Sequence, residues 1–273
     1  MGLNTTGAAN TNDYRIGRGT LYAAPLDAVT GRPHEYRDLG NVSDFVLTLS
    51  TDKQEHSSSR SGLKVVDKSV VINQKLTLKI TLDELNFDNL ALFFSGSTSA
   101  TVANASAITS QAHSFYGKGR WYDVMDASGN RAYDCATITV ATMTLGTDFT
   151  VDLKMGRIFV LSTSAGAWGS SASPVSLNVT TTLSGQDTTL DEVKALTQSS
   201  ISLALKFISQ NPVNGDNQEE YQFHQVTLSA DGDLSLIGDD FSNVTLSGTA
   251  EKNTLNTLVS ASPTLTIRTH SHA

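Results

Sequence analysis

The sequence predicts a mainly β protein with one short helix flanking its strands and a β-rich insertion. Three observations predict it. Apolar and polar residues alternate with a period of two in several segments, the pattern of half-buried strands. Charged residues are only 17% of the 273, and the Ser, Thr, Asn and Gly that replace them favour strands and turns over long helices. One stretch alone, around Phe87, changes to a helical period.

Residues 1–13 are small and polar without a period, and read as a flexible arm. Residues 14–24 (YRIGRGTLYAA) read as a first strand, and 25–40 as a loop. Phe45, Leu47 and Leu49 then share one face, opposite Asp44, Thr48 and Ser50. Leu76, Leu78, Ile80 and Leu82 alternate with Lys75, Thr77, Lys79 and Thr81. Each run predicts a strand with one packed and one wet face. Residues 51–69 lie between them and are polar and serine-rich. They are locally basic, with Lys53, Arg60, Lys64 and Lys68 against Asp52, Glu55 and Asp67. Hairpin loops usually hold two to five residues, so a loop of this length has a task or is disordered.

Phe87, Leu90, Ala91 and Phe94 fall at i, i+3, i+4 and i+7, one face of a short helix. Asp83 or Asn86 can cap its start and Gly96 can end it. Residues 97–112 have the composition of a linker. Strand and turn signals follow through 121–179, which predicts a small inserted β domain over 113–185. Thr189, Leu190, Asp191 and Glu192 resemble a capping box and predict a helical turn. The main alternation resumes at Ile201, Leu203, Leu205 and Phe207. The phase slips near His224 and Gln225, as a β-bulge would make it. Residues 234–237, 244–250 and 265–267 complete the predicted strands, and 269–273 read as a mobile tail. The domain reading is therefore 14–96 with 195–268 as one domain, interrupted by 113–185.

The chemistry-bearing residues predict no enzyme, cofactor or metal. The net charge is −8 and the pI about 5.1, which opposes binding nucleic acid by phosphate neutralisation. Like charge instead keeps nucleic acid from sticking. Cys135 stands alone, so no disulfide framework is expected. The six histidines lack the helical spacing of a zinc pair. Asp126 to Asn130 has some look of a calcium loop but lacks its closing glutamate, and reads as a hairpin turn. Asp231, Asp233, Asp239 and Asp240 stand beside glycines, where turn geometry explains them more simply than glycoside hydrolysis does. The N-terminus lacks a signal-peptide pattern, and no apolar run approaches the roughly 20 residues of a membrane span. Such a chain is expected to work through its surface, and open strand edges invite completion by neighbouring copies.

The order of features resembles a specific family. Gly19-Thr-Leu-Tyr22 opens a strand, and Leu39-Gly-Asn-Val42 leads into the first alternating run. Gln54-Glu-His-Ser-Ser-Ser-Arg-Ser-Gly62 and Asp88-Asn-Leu-Ala-Leu-Phe-Phe-Ser-Gly96 follow. Val226 to Asp240 and Leu246-Ser-Gly-Thr-Ala250 continue the pattern. Over roughly residues 14–96 and 200–268 the chain resembles the major tail tube proteins of long, non-contractile-tailed bacteriophages (siphophages). The resemblance implies a β-sandwich or barrel-like fold with a flanking helix. It also implies a virion structural protein, made in the bacterial host cytoplasm, that forms homo-hexameric rings stacked into a tube. The partners implied are the tape-measure protein, the tail terminator and the distal tail proteins. Double-stranded DNA would pass through the lumen without specific binding, and the chain would not insert into a membrane. By the same resemblance Lys53, Glu55, His56, Ser58, Arg60, Gly62, Lys64 and Lys68 belong to a loop reaching the next ring. Asp44, Thr48, Ser50, Lys75, Thr77 and Lys79 become candidate lumen-facing residues. The alternatives are a β-sandwich adhesin or carbohydrate-binding tail or surface module, and a polysaccharide-cleaving tail enzyme.

Overall fold

The computed structural model describes residues 14, 16–58, 62–103, 107–184, 189–210, 218–259 and 262–270. The predicted arm at 1–13, Arg60, the turn at 211–216 and residues 271–273 of the predicted tail lie outside the described residues. The protein is mainly β, with one short helix. In chain order the first elements are β1 (Gly19–Pro25), β2 (Arg37–Asp38), β3 (Val42–Ser58), β4 (Val65–Leu82) and α1 (Phe87–Phe93). Next come β5 (Ser97–Ala103), β6 (Gln111–Phe115), β7 (Arg120–Asp123), β8 (Cys135–Val140), β9 (Phe149–Asp152) and β10 (Arg157–Val160). The last are β11 (Val175–Leu183), β12 (Thr189–Lys194), β13 (Ile201–Ser209), β14 (Gln218–Ala230), β15 (Val244–Ala250) and β16 (Leu265–His270). They form two compact units, Met1–Thr98 with Val193–Ala273, and Ser99–Glu192.

The first unit is one antiparallel sheet in the order β2-β1-β13-β14-β15-β4-β3, with β16 added beside β14. The length of β14 lets it serve two neighbours on one side. Gln218 to Phe223 pair with β16, and Val226 to Ala230 pair with β15. Between them Leu203 pairs with Val226 but Leu205 with Phe223. His224 and Gln225 therefore form the bulge that the phase slip predicts, and a bulge bends a strand. Leu21, Leu39, Leu78, Ile80, Leu82, Leu205, Phe223, Val226 and Leu246 lie inside this bend as one core. Gly248 also faces it, and a Cβ there would sit 2.8 Å from Leu228 Cδ2 and 2.9 Å from Val226 Cγ1.

The helix begins at Asn86, whose side chain accepts a hydrogen bond from Asn89 N at 2.8 Å. It ends where Gly96 N donates to Ala91 O at 2.8 Å and Ser95 turns left-handed at φ 47. Its packed side is Asn89, Ala91, Leu92 and Phe93, while Phe87 is half exposed. The predicted face of Phe87, Leu90, Ala91 and Phe94 is thus rotated. Buried Asn89 orients the helix: its amide donates to Leu39 O and Glu84 O, each at 2.9 Å, and accepts from Arg37 Nη1 at 2.9 Å.

Five further expectations change. Most of 51–69 is strand, because β3 and β4 remain paired out to Ser58 and Val65. The predicted linker at 97–112 contains β5, and β5 pairs with β12, so the capping-box helix at 189–192 is a strand instead. Pairing satisfies every second backbone group at once, which a lone helical turn does not. Residues 234–237 form a loop without a strand, exposed from Ser235 onward. Thr269 and His270 belong to β16, opposite Glu219 and Gln218.

The second unit has two three-stranded antiparallel sheets, β7-β10-β9 and β6-β11-β8. Phe115, Val124, Ile138, Phe149, Ile158, Trp168 and Val179 fill its core. The indole N–H of Trp168 donates to Ser164 Oγ at 2.8 Å, and that hydroxyl donates to Asp148 Oδ1 at 2.6 Å. The pair of bonds satisfies the one polar atom of the largest buried side chain.

Candidate assembly surfaces

β3 and β4 continue as a two-stranded arm after their apolar face leaves the core. Up to Leu49 opposite Leu76 the strands belong to the sheet, and beyond them only the two strands remain. Eight residues from Thr51 to Ser58, at about 3.3 Å each, give the arm a reach of about 26 Å. Hydrogen-bond register holds it together: Thr51 opposes Gln74, Lys53 opposes Val71, Glu55 opposes Ser69 and Ser57 opposes Val66. The register shifts after Asp52 and after His56, leaving Ile72 and Asp67 as extra residues of β4. Bulges of this kind sharpen the twist of a strand pair.

The arm is not uniformly polar. Val65, Val66, Val70, Val71 and Ile72 are all exposed, Ile72 at 65%. An isolated two-stranded hairpin is marginal in water, and β-branched residues stabilise a strand chiefly when something covers them. The arm therefore leaves five large β-branched side chains in water.

The residues expected in the reaching loop are distributed along this arm. Lys53, Glu55, His56 and Ser58 lie on β3, with Lys68 on β4 opposite His56. Gly62 and Lys64 are exposed in the connection. His56 Nδ1 and Asp67 Oδ1 lie 2.6 Å apart. The expected lumen-facing residues come together on the sheet's outward face. One rung runs Ser202, Thr227, Thr249, Thr77, Thr48 across five strands. The next runs Ser229, Ser247, Lys79, Val46, and a third contains Thr245, Thr81 and Asp44. Ser50 opposes Lys75 at the root of the arm. Thr48, Lys75, Thr77 and Lys79 line a shallow depression with Thr227, Ser229, Ser247, Thr249 and Glu251. Ser202 Oγ lies 3.1 Å from Thr227 Oγ1, and Lys79 Nζ 3.8 Å from Asp231 Oδ2. Short hydroxyls dominate this face, and its charged groups are of both signs: Asp44 and Glu251, Lys75, and Lys79 beside Asp231.

A second exposed surface escaped the sequence reading. The β14–β15 connection, residues 231–243, carries Leu236, Ile237 and Phe241, and Ile237 and Phe241 are 97% and 99% exposed. The aspartates and glycines of this loop signal turns, and Leu234 to Ile237 carry the composition of a strand. The available signal is four large apolar side chains between Asp233 and Asn243, among aspartates and glycine.

The remaining reactive groups have structural settings. Asp126 Oδ1 accepts from Ser128 N at 2.8 Å and Asn130 N at 2.9 Å, which makes its loop a closed turn. Cys135 is buried, and burial pushes its thiol pKa up, helped by Asp134. His224 is buried, with Nε2 2.9 Å from Thr266 Oγ1. Burial pushes its pKa down, and Arg268 adds to the shift. Among the described residues no group of three or more His, Cys, Asp or Glu is placed to hold a metal ion. Among them, too, no helix is long and apolar enough to cross a membrane.

No curated protein matches the sequence. A family profile described as Protein of unknown function UCP028589 matches residues 14–262. The match takes in nearly the whole chain, including both compact units, and the protein belongs to that family.

Proposed function

We propose that the chain is a virion structural protein that self-assembles into stacked hexameric rings forming the hollow tail tube of a siphophage, through which the DNA genome is delivered. The observation that carries this reading is the β3–β4 arm, a paired ribbon about 26 Å long with exposed valines and isoleucine. A ribbon with that composition gains stability from a neighbouring copy and gives up little by leaving its own core. Unpaired edges support the same reading. The outer edge of β3 has no partner strand among the described residues, and neither has the outer edge of β16. Edge pairing between copies would satisfy those backbone groups, and ring closure would remove the open edges. The hydroxyl-rich outward face suits a lumen: Lys79 is paired with Asp231, and Asp44 and Glu251 share the face with Lys75, so cations are not concentrated along the path of the DNA.

Negative-stain electron microscopy of the purified chain at rising concentration tests the proposal. Rings or tubes of one diameter support it. A monodisperse single subunit at every concentration, also with the other tail proteins added, ends it.

One observation favours a second reading, carbohydrate binding by the second unit. Trp121 is 47% exposed, 5.1 Å from Phe159 by ring centroid, with the Arg157 guanidinium 4.4 Å from its ring centre. Exposed aromatics beside charged hydrogen-bonding groups are suited to sugar rings. Glycan-array binding that disappears in W121A would favour it.

A further inference from the structure

We propose, resting on the tube reading, that the loop over residues 231–243 is the receptor for the β3–β4 arm of a second copy of this chain. The loop is anchored, yet its apolar tip is held out in water. Asp231 N donates to Thr245 O at 2.9 Å, Ser242 Oγ to Ser235 O at 2.6 Å, and Leu234 packs against the core. Leu236, Ile237 and Phe241 nonetheless point outward at 85%, 97% and 99% exposure. Single exposed apolar residues are ordinary. Three within six residues on an internally bonded loop form a patch that calls for a cover.

The topology names the cover. Val244 pairs with Leu82, so the loop enters β15 at the C-terminal end of β4. The arm departs from the other end, beyond Leu76, which pairs with Ala250. The six steps along β4 from Leu76 to Leu82 separate the two features by about 20 Å within a single copy, and the arm points away from the loop. Contact between them therefore joins unlike ends of two copies. Such a contact does not close at two subunits but repeats.

Charge points the same way. The loop carries Asp231, Asp233, Asp239 and Asp240 and no basic residue. Among its described residues the arm carries Lys53, Lys64 and Lys68 together with Asp52, Glu55 and Asp67. Asp52 accepts from Asn73 and Asp67 lies 2.6 Å from His56, which leaves Glu55 as the acid among three lysines. A loop-to-loop contact would instead set four aspartates against four. Lysines around the arm's exposed valines and isoleucine meet an acidic loop without that like pairing, and the charge pattern fixes register.

Two single-cysteine variants, I237C and V70C, test the contact in the full chain, distinguished by mass, mixed and oxidised. The native Cys135 is buried and stays silent. The expected product is a disulfide between the two kinds of chain, well in excess of either homodimer. I237S/F241S alters only exposed side chains and is expected to keep the wild-type circular dichroism. It should raise the concentration needed for tubes about tenfold or more, a change equivalent to at least about 1.4 kcal/mol. Wild-type tubes without the mixed disulfide, or normal tubes from I237S/F241S, would overturn this inference and leave the tube reading intact. No rings or tubes from the wild type would overturn the tube reading, while the mixed disulfide would still decide the contact: its presence supports it and its absence ends it.

Discussion

Phe45 on β3 lies 5.6 Å by ring centroid from Phe207 on β13, although β14, β15 and β4 stand between those strands in the sheet. Phe45 also meets Phe223 edge-on at 6.0 Å. The sheet has curled until one side of it packs on the other, and aromatic contact rather than strand pairing holds the gap.

Phe45→Ala is therefore expected to loosen the closure of the first unit. Large-to-small aromatic changes in packed sites remove about 3–5 kcal/mol, and the partial burial of Phe45 places the expected loss near the lower end, about 3 kcal/mol. Urea unfolding followed by a probe in each unit checks it. The midpoint of the first unit should fall while that of the second stays put.

Gly156→Ala should do the reverse. Gly156 has φ 58, and a Cβ there would stand 1.3 Å from Ala132 O. Backbone cannot swing aside as a side-chain tip can, so we expect at least about 2 kcal/mol lost from the second unit. The emission of Trp168, buried in that core, reports the transition.

His224 links stability to pH. Its folded pKa lies below the ordinary 6.5 because the ring is buried and Arg268 repels the proton. Below 6.5 the unfolded chain takes up that proton first. Stability is therefore fully present above 6.5 and falls as the pH drops from there to the folded pKa. Subtracting the melting profile of His224→Gln from that of the wild type should isolate this slope. A difference that is flat between pH 7 and 5 would remove His224 as its source.

Deleting residues 57–68 should leave a folded subunit that forms no tubes. The arm beyond Leu49 and Leu76 adds nothing to the core, so circular dichroism and melting should be nearly unchanged. Electron microscopy of the variant at concentrations where the wild type assembles is the measurement. Tubes of normal length would count against the arm as the stacking element.

The parts of the fold legible in the sequence are those where one face is packed. Leu76, Leu78, Ile80 and Leu82 announce β4 because their alternation is the packing itself. The same strand is unreadable at Val65 to Gln74, where both faces are wet and the extra residues Asp67 and Ile72 break the period. The polar rungs could be read as the complement of those leucines, so Thr48, Thr77 and Lys79 fell on one face by parity. The 231–243 loop resisted for the opposite reason: Ile237 and Phe241 are as apolar as core residues, and only position shows that they point outward. The capping-box pattern at 189–192 is a local preference that pairing with β5 overrides.

The pairing of β5 with β12 also has a modular consequence. These strands carry the chain into and out of the second unit, and Gly96 approaches so closely that a Cβ would lie 2.4 Å from Lys194 O. Entrance and exit are neighbours, separated by about one strand spacing, about 4.8 Å. The second unit thereby begins and ends at adjacent points of the backbone. Any small domain with adjoining ends could be exchanged there, or the segment replaced by a tight turn, with the first unit's strand order untouched.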